Sequence, residues 1–188
     1  ASSTAIVPSL YKTLPYDARK DLAPVAMIAS TTNYLVVGPK TQVRSVKELV
    51  DYARRNPGKV DYASSGNGSS THLAVELMKH MGNFHAVHIP YRGVGPAMVA
   101  LLAGEVDFLF DAGPASVPTI LSGKTRLLAV STRTRSPLFP DTPTLAESGF
   151  PDFDIDSWTG VMTTSGTPRE VIDRIAAELH RIVVLPEV

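Results

Sequence analysis

Serine and glycine residues crowd one short segment, residues 64–71, that joins a predicted strand to a predicted helix. Gly66 and Gly68 permit backbone conformations that other residues avoid, so backbone N–H groups there can approach a ligand closely. The first turn of the following helix adds N–H groups that the helix itself leaves unsatisfied. The short polar side chains in the segment are Ser64, Ser65, Asn67, Ser69, Ser70 and Thr71. Such a set of neutral donors predicts a site for a small anion.

Two further glycine-containing loops, residues 91–95 and 111–113, follow the next two predicted strands. In a parallel sheet all strand-to-helix loops emerge at one edge, so the three loops are expected to lie together. Asp111 could accept a hydrogen bond from a ligand there, or it could instead cap the helix that starts near Pro114. For Arg92 a structural salt bridge is favoured over a ligand contact.

Strand and helix patterns alternate along the middle of the chain, which is typical of an α/β fold with a parallel-type sheet and flanking helices. Capping boxes that start at Ser45 and at Thr167 predict the beginnings of two helices. The predicted strands span residues 25–29, 34–37, 60–63, 86–90, 106–110, 126–131 and 158–163.

Composition excludes several classes of function. The 188 residues carry a net charge of zero, which argues against a nucleic-acid partner, and the absence of cysteine excludes disulfides and thiolate chemistry. His72, Glu76 and His80 share one helical face, but a solvated polar face is favoured over a metal site. Neither a P-loop nor a G-x-G-x-x-G motif is present, so no cofactor is expected.

A series of motifs, in this order, closely resembles the substrate-binding proteins of tripartite tricarboxylate transporters, the Bug or TctC-like family. The likeness covers nearly the whole chain. The motifs are Y-D-A-R-K-D-L-A-P-V from Tyr16, S-V-K-E-L from Ser45, N-P-G-K from Asn56, S-S-G-N-G-S-S-T-H-L from Ser64, H-I-P-Y-R-G-V-G-P-A from His88, F-D at Phe110, L-A-V-S-T-R-T-R-S-P from Leu128, P-D-T-P-T-L-A-E-S-G-F from Pro140 and S-W-T-G-V from Ser157.

This resemblance implies a hinged, two-lobed fold like that of the type II periplasmic binding proteins. It implies a periplasmic protein that captures a small carboxylate, delivers it to membrane permease subunits and catalyses no reaction. By matching motif, Asp111 would close the pocket, and Ser3 and Thr4 resemble a first-lobe loop that faces the ligand. The residues that would line the pocket are Ser65, Asn67, Gly68, Ser69, Ser70 and Thr71.

Members of the family extend beyond both ends of this sequence, so the chain resembles a member truncated at both ends. Residues 38–131 would then form a complete ligand-binding lobe, and residues 1–37 and 132–188 would supply hinge segments and part of the other lobe. The incomplete lobe is expected to expose apolar surface and to favour self-association or partial disorder.

Two alternative functions remain open from the residues alone. One is a small-molecule-processing enzyme that uses Ser69 or Ser70 with His72, although the spacing provides no oriented base. The other is the effector-sensing domain of a cytoplasmic regulator, which uses a similar two-lobed fold.

Overall fold

The computed structural model of the chain describes residues 5–185. They divide into two compact units, one of Thr31–Asp156 and one formed by the residues up to Ser30 and from Ser157. The elements in chain order are α1 (Val7–Leu10), β1 (Leu22–Thr32), β2 (Tyr34–Val37), α2 (Val46–Arg55), β3 (Asp61–Ser64), α3 (Ser70–Gly82), β4 (Val87–Pro90), α4 (Val94–Ala103), β5 (Phe108–Asp111), α5 (Ser116–Leu121), β6 (Arg126–Val130), β7 (Asp156–Thr164) and α6 (Arg169–Val183).

The larger unit contains a five-stranded sheet in the order β4-β3-β5-β2-β6. β3 runs parallel to β4 and to β5, as the alternation of strands and helices predicted. β2 runs antiparallel to both β5 and β6, so the sheet is mixed rather than wholly parallel. The predicted α/β class is confirmed, and residues 38–131, the predicted ligand-binding lobe, fall within this unit.

Apolar side chains cover both faces of the five-stranded sheet. Leu35 and Phe110 belong to a buried cluster with α2 and α3, whereas Val36 and Leu109 belong to a second cluster with α4. Successive residues of a strand point to opposite faces, so a strand buried on both sides is apolar throughout. Each such fully buried side chain stabilises the fold by about 1.5–3 kcal/mol, and this core fixes the positions of the strand ends.

In the smaller unit β1 and β7 pair as a two-stranded sheet, and α6 follows β7. Three apolar residues of α6 remain exposed, at 45% for Val171, 38% for Ile175 and 40% for Ile182, whereas Ile172 is buried at 9%. Exposed apolar surface was predicted for these segments. No helix within residues 5–185 combines the length and apolar character that a membrane span requires.

The two predicted capping boxes have different outcomes. Ser45 Oγ accepts a hydrogen bond from the Glu48 N–H at 3.2 Å and caps α2, as predicted. The box predicted at Thr167 is wrong, because α6 begins after Pro168 and no described side chain caps it. The Thr167 hydroxyl lies instead 2.8 Å from the Thr163 hydroxyl at the end of β7.

Candidate ligand-binding site

The serine-rich loop, residues 64–71, carries the chain from β3 into α3. Gly66 and Gly68 have φ angles of 132° and 74°, which residues with a Cβ rarely adopt. In the parallel register Ser64 pairs with Pro90, the last residue of β4, and β5 lies on the other side of β3. The three predicted loops therefore emerge at the same edge of the sheet.

The Thr71 hydroxyl is the centre of a polar network inside this loop. Its Oγ1 accepts from the Ser65 N–H at 3.2 Å and lies 3.1 Å from Ser65 Oγ and 3.0 Å from Ser69 Oγ. Ser69 Oγ also accepts from the His72 N–H at 3.2 Å and so caps α3. Because these capping groups are neutral, they leave the positive end of the α3 dipole without a compensating negative charge.

Backbone hydrogen bonds tie the loop of residues 91–95 to the serine-rich loop. The Tyr91 N–H donates to the Ser64 carbonyl at 3.1 Å, and the Gly93 N–H donates to the Ser65 carbonyl at 3.3 Å. Gly93 begins α4, which no side chain among residues 5–185 caps. A Cβ built on Gly93 would meet no heavy atom within 4 Å, so there is space beside the first turn of α4.

Asp111 is only 1% exposed, and its carboxylate serves the fold. Asp111 Oδ2 accepts from the N–H groups of Ala115 at 3.1 Å and Ser116 at 2.7 Å, and from Ser116 Oγ at 2.7 Å. It therefore holds the first turn of α5, which is the alternative that the sequence left open. A ligand contact by Asp111 stays a prediction.

Two stacked histidines contact the serine-rich loop. The rings of His72 and His88 are 4.0 Å apart and nearly parallel. His72 Nδ1 accepts from the Gly68 N–H at 3.1 Å, and His88 Nε2 lies 2.6 Å from Ser64 Oγ, which also accepts from the Gly66 N–H at 3.1 Å. Burial lowers the pKa of both imidazoles, and burial together with the neighbouring His72 lowers the pKa of His88 to about 4. Both rings are therefore neutral at pH 7.

Tyr62, Glu76 and Lys79 flank the histidine pair. Glu76 Oε1 accepts from the Tyr62 hydroxyl and, at 2.6 Å, from Lys79 Nζ. Burial opposes ionisation of Glu76, but these two hydrogen bonds outweigh burial and lower its pKa. Burial and the Glu76 carboxylate raise the pKa of Tyr62, so its hydroxyl keeps its proton.

The expectation of a solvated face on α3 is correct only for His80, which is exposed, because His72 and Glu76 are half-buried against Tyr62. Within the described part of the chain no three His, Cys, Asp or Glu side chains are grouped so that they could hold a metal ion.

The structure places the other predicted residues as follows. Asn67 is exposed, whereas Gly68 and Thr71 are buried; Ser3 and Thr4 lie outside the described residues. The salt bridge expected for Arg92 is wrong, since no carboxylate in residues 5–185 lies within ion-pair distance of this exposed side chain. All six residues predicted to line the pocket lie in the serine-rich loop or at the start of α3, and these are Ser65, Asn67, Gly68, Ser69, Ser70 and Thr71.

Sequence reasoning missed the contact between Ser64 and His88. The parallel register pairs Tyr62 with His88, which brings the His88 ring beside the residues of β3. The available signal was a polar residue directly after one predicted strand, Ser64, and another within the next predicted strand, His88. Without the register that signal does not identify a pair.

Comparison with known proteins identifies the family. The profile of the family described as tripartite tricarboxylate transporter family receptor, TctC, matches residues 1–188. A UPF0065 protein from the tcbD-tcbE intergenic region of Pseudomonas sp. strain P51 is 38% identical over 179 residues, which are 95% of this chain and 53% of that protein. The chain therefore spans about half the length of this curated relative.

Solved structures agree with this assignment and confirm the periplasmic binding protein fold. R. palustris Rpa4515 with adipate is 38% identical, with a TM-score of 0.84 over 92% of this chain and 56% of that chain. The periplasmic binding protein BugD is 30% identical, with a TM-score of 0.91 over 99% of this chain and 62% of that chain. The predicted self-association finds no support in these comparisons. The profile match across all 188 residues shows that the chain belongs to the tripartite tricarboxylate transporter receptor family.

Proposed function

We propose that the chain is the ligand-binding part of a periplasmic solute-binding protein that captures a small carboxylate and delivers it to the permease of a tripartite tricarboxylate transporter. The observation that carries the proposal is the convergence of the α3 and α4 N-termini on glycine-containing loops at one edge of the sheet. An anion is stabilised there by the N–H groups and by both helix dipoles. The adipate in the related Rpa4515 structure supports a carboxylate ligand, and the periplasmic relative BugD supports the location.

Neutral donors are sufficient for such a site. Each hydrogen bond from a neutral donor to a charged group contributes about 1.5–3 kcal/mol, and a helix N-terminus adds about 0.3–1 kcal/mol. Three or four such bonds reach the roughly −8 kcal/mol of micromolar binding when ordering costs are small. A cationic side chain is therefore not required, which agrees with the exposed position of Arg92.

The geometry favours binding over catalysis. Ser64 is close to the His88 imidazole, but it is 1% exposed and its hydroxyl already contacts the backbone of Gly66. His72 Nδ1 accepts the Gly68 N–H, so that nitrogen cannot also accept the proton of a serine hydroxyl. A serine nucleophile needs access to substrate and a free, oriented base. Buried Ser64 lacks the access, and His72 Nδ1 is not free to act as the base for Ser69 or Ser70.

Isothermal calorimetry with adipate, on the protein as its gene encodes it, tests this proposal. We expect saturable heat at one ligand per chain and unchanged adipate in the recovered solution. The neutral diamide of adipate is the matched control and should give no heat, because it lacks the negative charge that the helix N-termini stabilise. Absence of heat from adipate, heat from the diamide equal to that from adipate, or turnover of either compound would contradict the proposal.

The substitution Thr71→Val tests the role of the hydroxyl network. Valine fills the same volume but removes the oxygen that accepts from the Ser65 N–H, so we expect about tenfold weaker adipate binding. Thr125→Val is the control, because Thr125 is buried to a similar extent, 6% exposed against 5%, and its hydroxyl contacts Thr119 instead. Equal losses of affinity in the two variants would show that the Thr71 hydroxyl has no specific role.

A further inference from the structure

We propose that His72 and His88 are positioning residues for the serine-rich loop, which they hold in its anion-binding conformation only while His72 is a neutral imidazole. The inference rests on the proposed carboxylate-binding function of that loop and adds a pH dependence to it. Neither histidine needs to touch the ligand. Their effect passes through Gly68 and Ser64, the residues of the loop that they contact.

The His72 contact depends directly on protonation. Its Nδ1 accepts the Gly68 N–H at 3.1 Å, and a ring nitrogen can accept only when it carries no proton. Gly68 has a φ of 74°, and it directly precedes Ser69, the residue that caps α3. Protonation of Nδ1 would place two N–H donors against each other. The hydrogen bond would then be lost at the point where the loop enters the helix.

His88 holds the other end of the loop through Ser64. Its Nε2 lies 2.6 Å from Ser64 Oγ, and that oxygen lies within 3.2 Å of both the N–H and the carbonyl of Gly66. Ser64 is 1% exposed, so water cannot easily replace this partner. The His88 ring also stacks on His72 at 4.0 Å, which fixes the plane in which His72 Nδ1 points at Gly68. Two positive charges at that separation would repel, so the stacked pair resists taking up a second proton.

The surrounding charged groups set the direction of the effect. From α3, Glu76 favours a protonated His72, whereas Lys79 on the same helix opposes it; from β3, the Tyr62 hydroxyl is bound to Glu76 and stays neutral. Burial is the largest influence, and the net result is a lowered pKa for His72. The neutral form therefore dominates at pH 7 and above, and it is lost on acidification.

The sign of the pH dependence separates positioning from direct contact. A histidine that touched the anion would bind it more tightly when protonated, so affinity would rise as the pH fell. A histidine that acts by accepting the Gly68 N–H has the opposite effect, because acid removes its acceptor. We expect adipate affinity to fall about fivefold as acid titration from pH 7.5 protonates His72, beyond any change that arises from protonation of adipate itself.

The variant His72→Asn isolates this effect. The asparagine carbonyl oxygen can accept from the Gly68 N–H at about the position of Nδ1, and it does not titrate in this range. Its affinity at pH 7.5 should match that of the wild type, and its pH profile should show only the protonation of adipate. His72→Phe keeps an aromatic ring but has no acceptor, so at every pH its affinity should be about fivefold weaker than that of His72→Asn, and it should show no further loss from protonation of residue 72. His80→Asn, on the exposed side of the same helix, should behave as the wild type.

The amide resonance of Gly68 provides a measurement that needs no ligand. In the wild type, NMR should show this resonance moving with pH together with the His72 ring, whereas in His72→Asn it should stay fixed. If adipate fails to bind at any pH, the proposed function fails, but the Gly68 titration still decides the present inference. A Gly68 resonance that does not follow His72, or identical pH profiles of affinity in the wild type and His72→Asn, would overturn it. The melting temperature of each variant at pH 7.5 shows whether it is folded.

Discussion

Two strand-to-helix connections at the same edge of the sheet satisfy their helix ends in opposite ways. After β5, the buried Asp111 carboxylate accepts three hydrogen bonds from the first turn of α5. After β3, the first turn of α3 is capped by a neutral serine, and glycines with positive φ shape the loop before it. One helix end therefore carries its own anion, whereas the other offers donors and a positive dipole end without one.

This difference indicates which polar residues at a sheet edge are good candidates for binding an anion. The Asp111 carboxylate, five residues before the short helix α5, is already bound by the first turn of that helix, so it is a poor candidate for anion capture. Hydroxyls and glycines before a long helix form a polar but uncharged lining, which suits an external anion. The contrast explains why the serine-rich loop, and not Asp111, is the stronger candidate for the ligand contact.

The largest expected effect that could break this comparison comes from Asp111→Ala. Removing a buried acceptor of three hydrogen bonds should lower the free energy of unfolding by about 3 kcal/mol, measured by urea denaturation. Asp111→Asn keeps the shape and one acceptor oxygen, so its loss should be smaller, about 1–2 kcal/mol. If Asp111→Ala instead kept its stability and lost adipate binding, Asp111 would be a ligand contact and the contrast would be wrong.

A pair of glycine substitutions tests whether the serine-rich loop is the ligand-binding part of this comparison. Gly68 and Gly58 have the same φ, 74°, so Gly68→Ala and Gly58→Ala should each cost about 1 kcal/mol of stability. Gly58 lies in the exposed turn between α2 and β3, at the opposite end of β3 from the serine-rich loop. Only Gly68→Ala should weaken adipate binding, by about fivefold or more, because it displaces the N–H groups of the loop. Equal affinities of the two variants in calorimetry would argue against the loop as the site.

Local patterns in the sequence predicted the elements well and their assembly only in part. The apolar run of residues 34–37 forms a strand with the predicted bounds, and the Ser45 cap forms as predicted, because both depend on neighbouring residues. The antiparallel placement of β2 between β5 and β6 depends on distant pairings, which a local pattern does not encode. The prediction at Thr167 failed because a matching box motif does not fix the residue at which a helix begins.

In the candidate site, too, local features could be predicted from the sequence, whereas contacts between distant segments could not. The sequence was sufficient to predict the loop as a site, because its serines and glycines lie within eight consecutive residues. The contact of His88 with Ser64 joins residues 24 positions apart, and it could not be found without the parallel register of β3 and β4. Residues that contact a loop through the neighbouring strand are therefore the part of such a site that sequence alone conceals.

The smallest expected effect concerns the pH dependence of stability, which depends on the same neutral partners of the serine-rich loop. The unfolded chain binds protons at its histidines near pH 6.5, whereas burial lowers the pKa of His72 and lowers that of His88 to about 4. Between these values the unfolded state binds more protons, so the free energy of unfolding falls as the pH falls from about 6.5 towards 4.

For two half-buried groups that remain partly screened by water, we expect a loss of at most about 1 kcal/mol across this range. The double variant His72→Asn with His88→Gln has no titrating ring at these positions, so its urea midpoint should change less with pH than that of the wild type. Removing exposed His80 should leave the wild-type slope intact. If the stability of the double variant changed with pH as much as that of the wild type, the acid sensitivity would have to come from other groups. The inference that neutral His72 and His88 hold the serine-rich loop would then lose its main evidence.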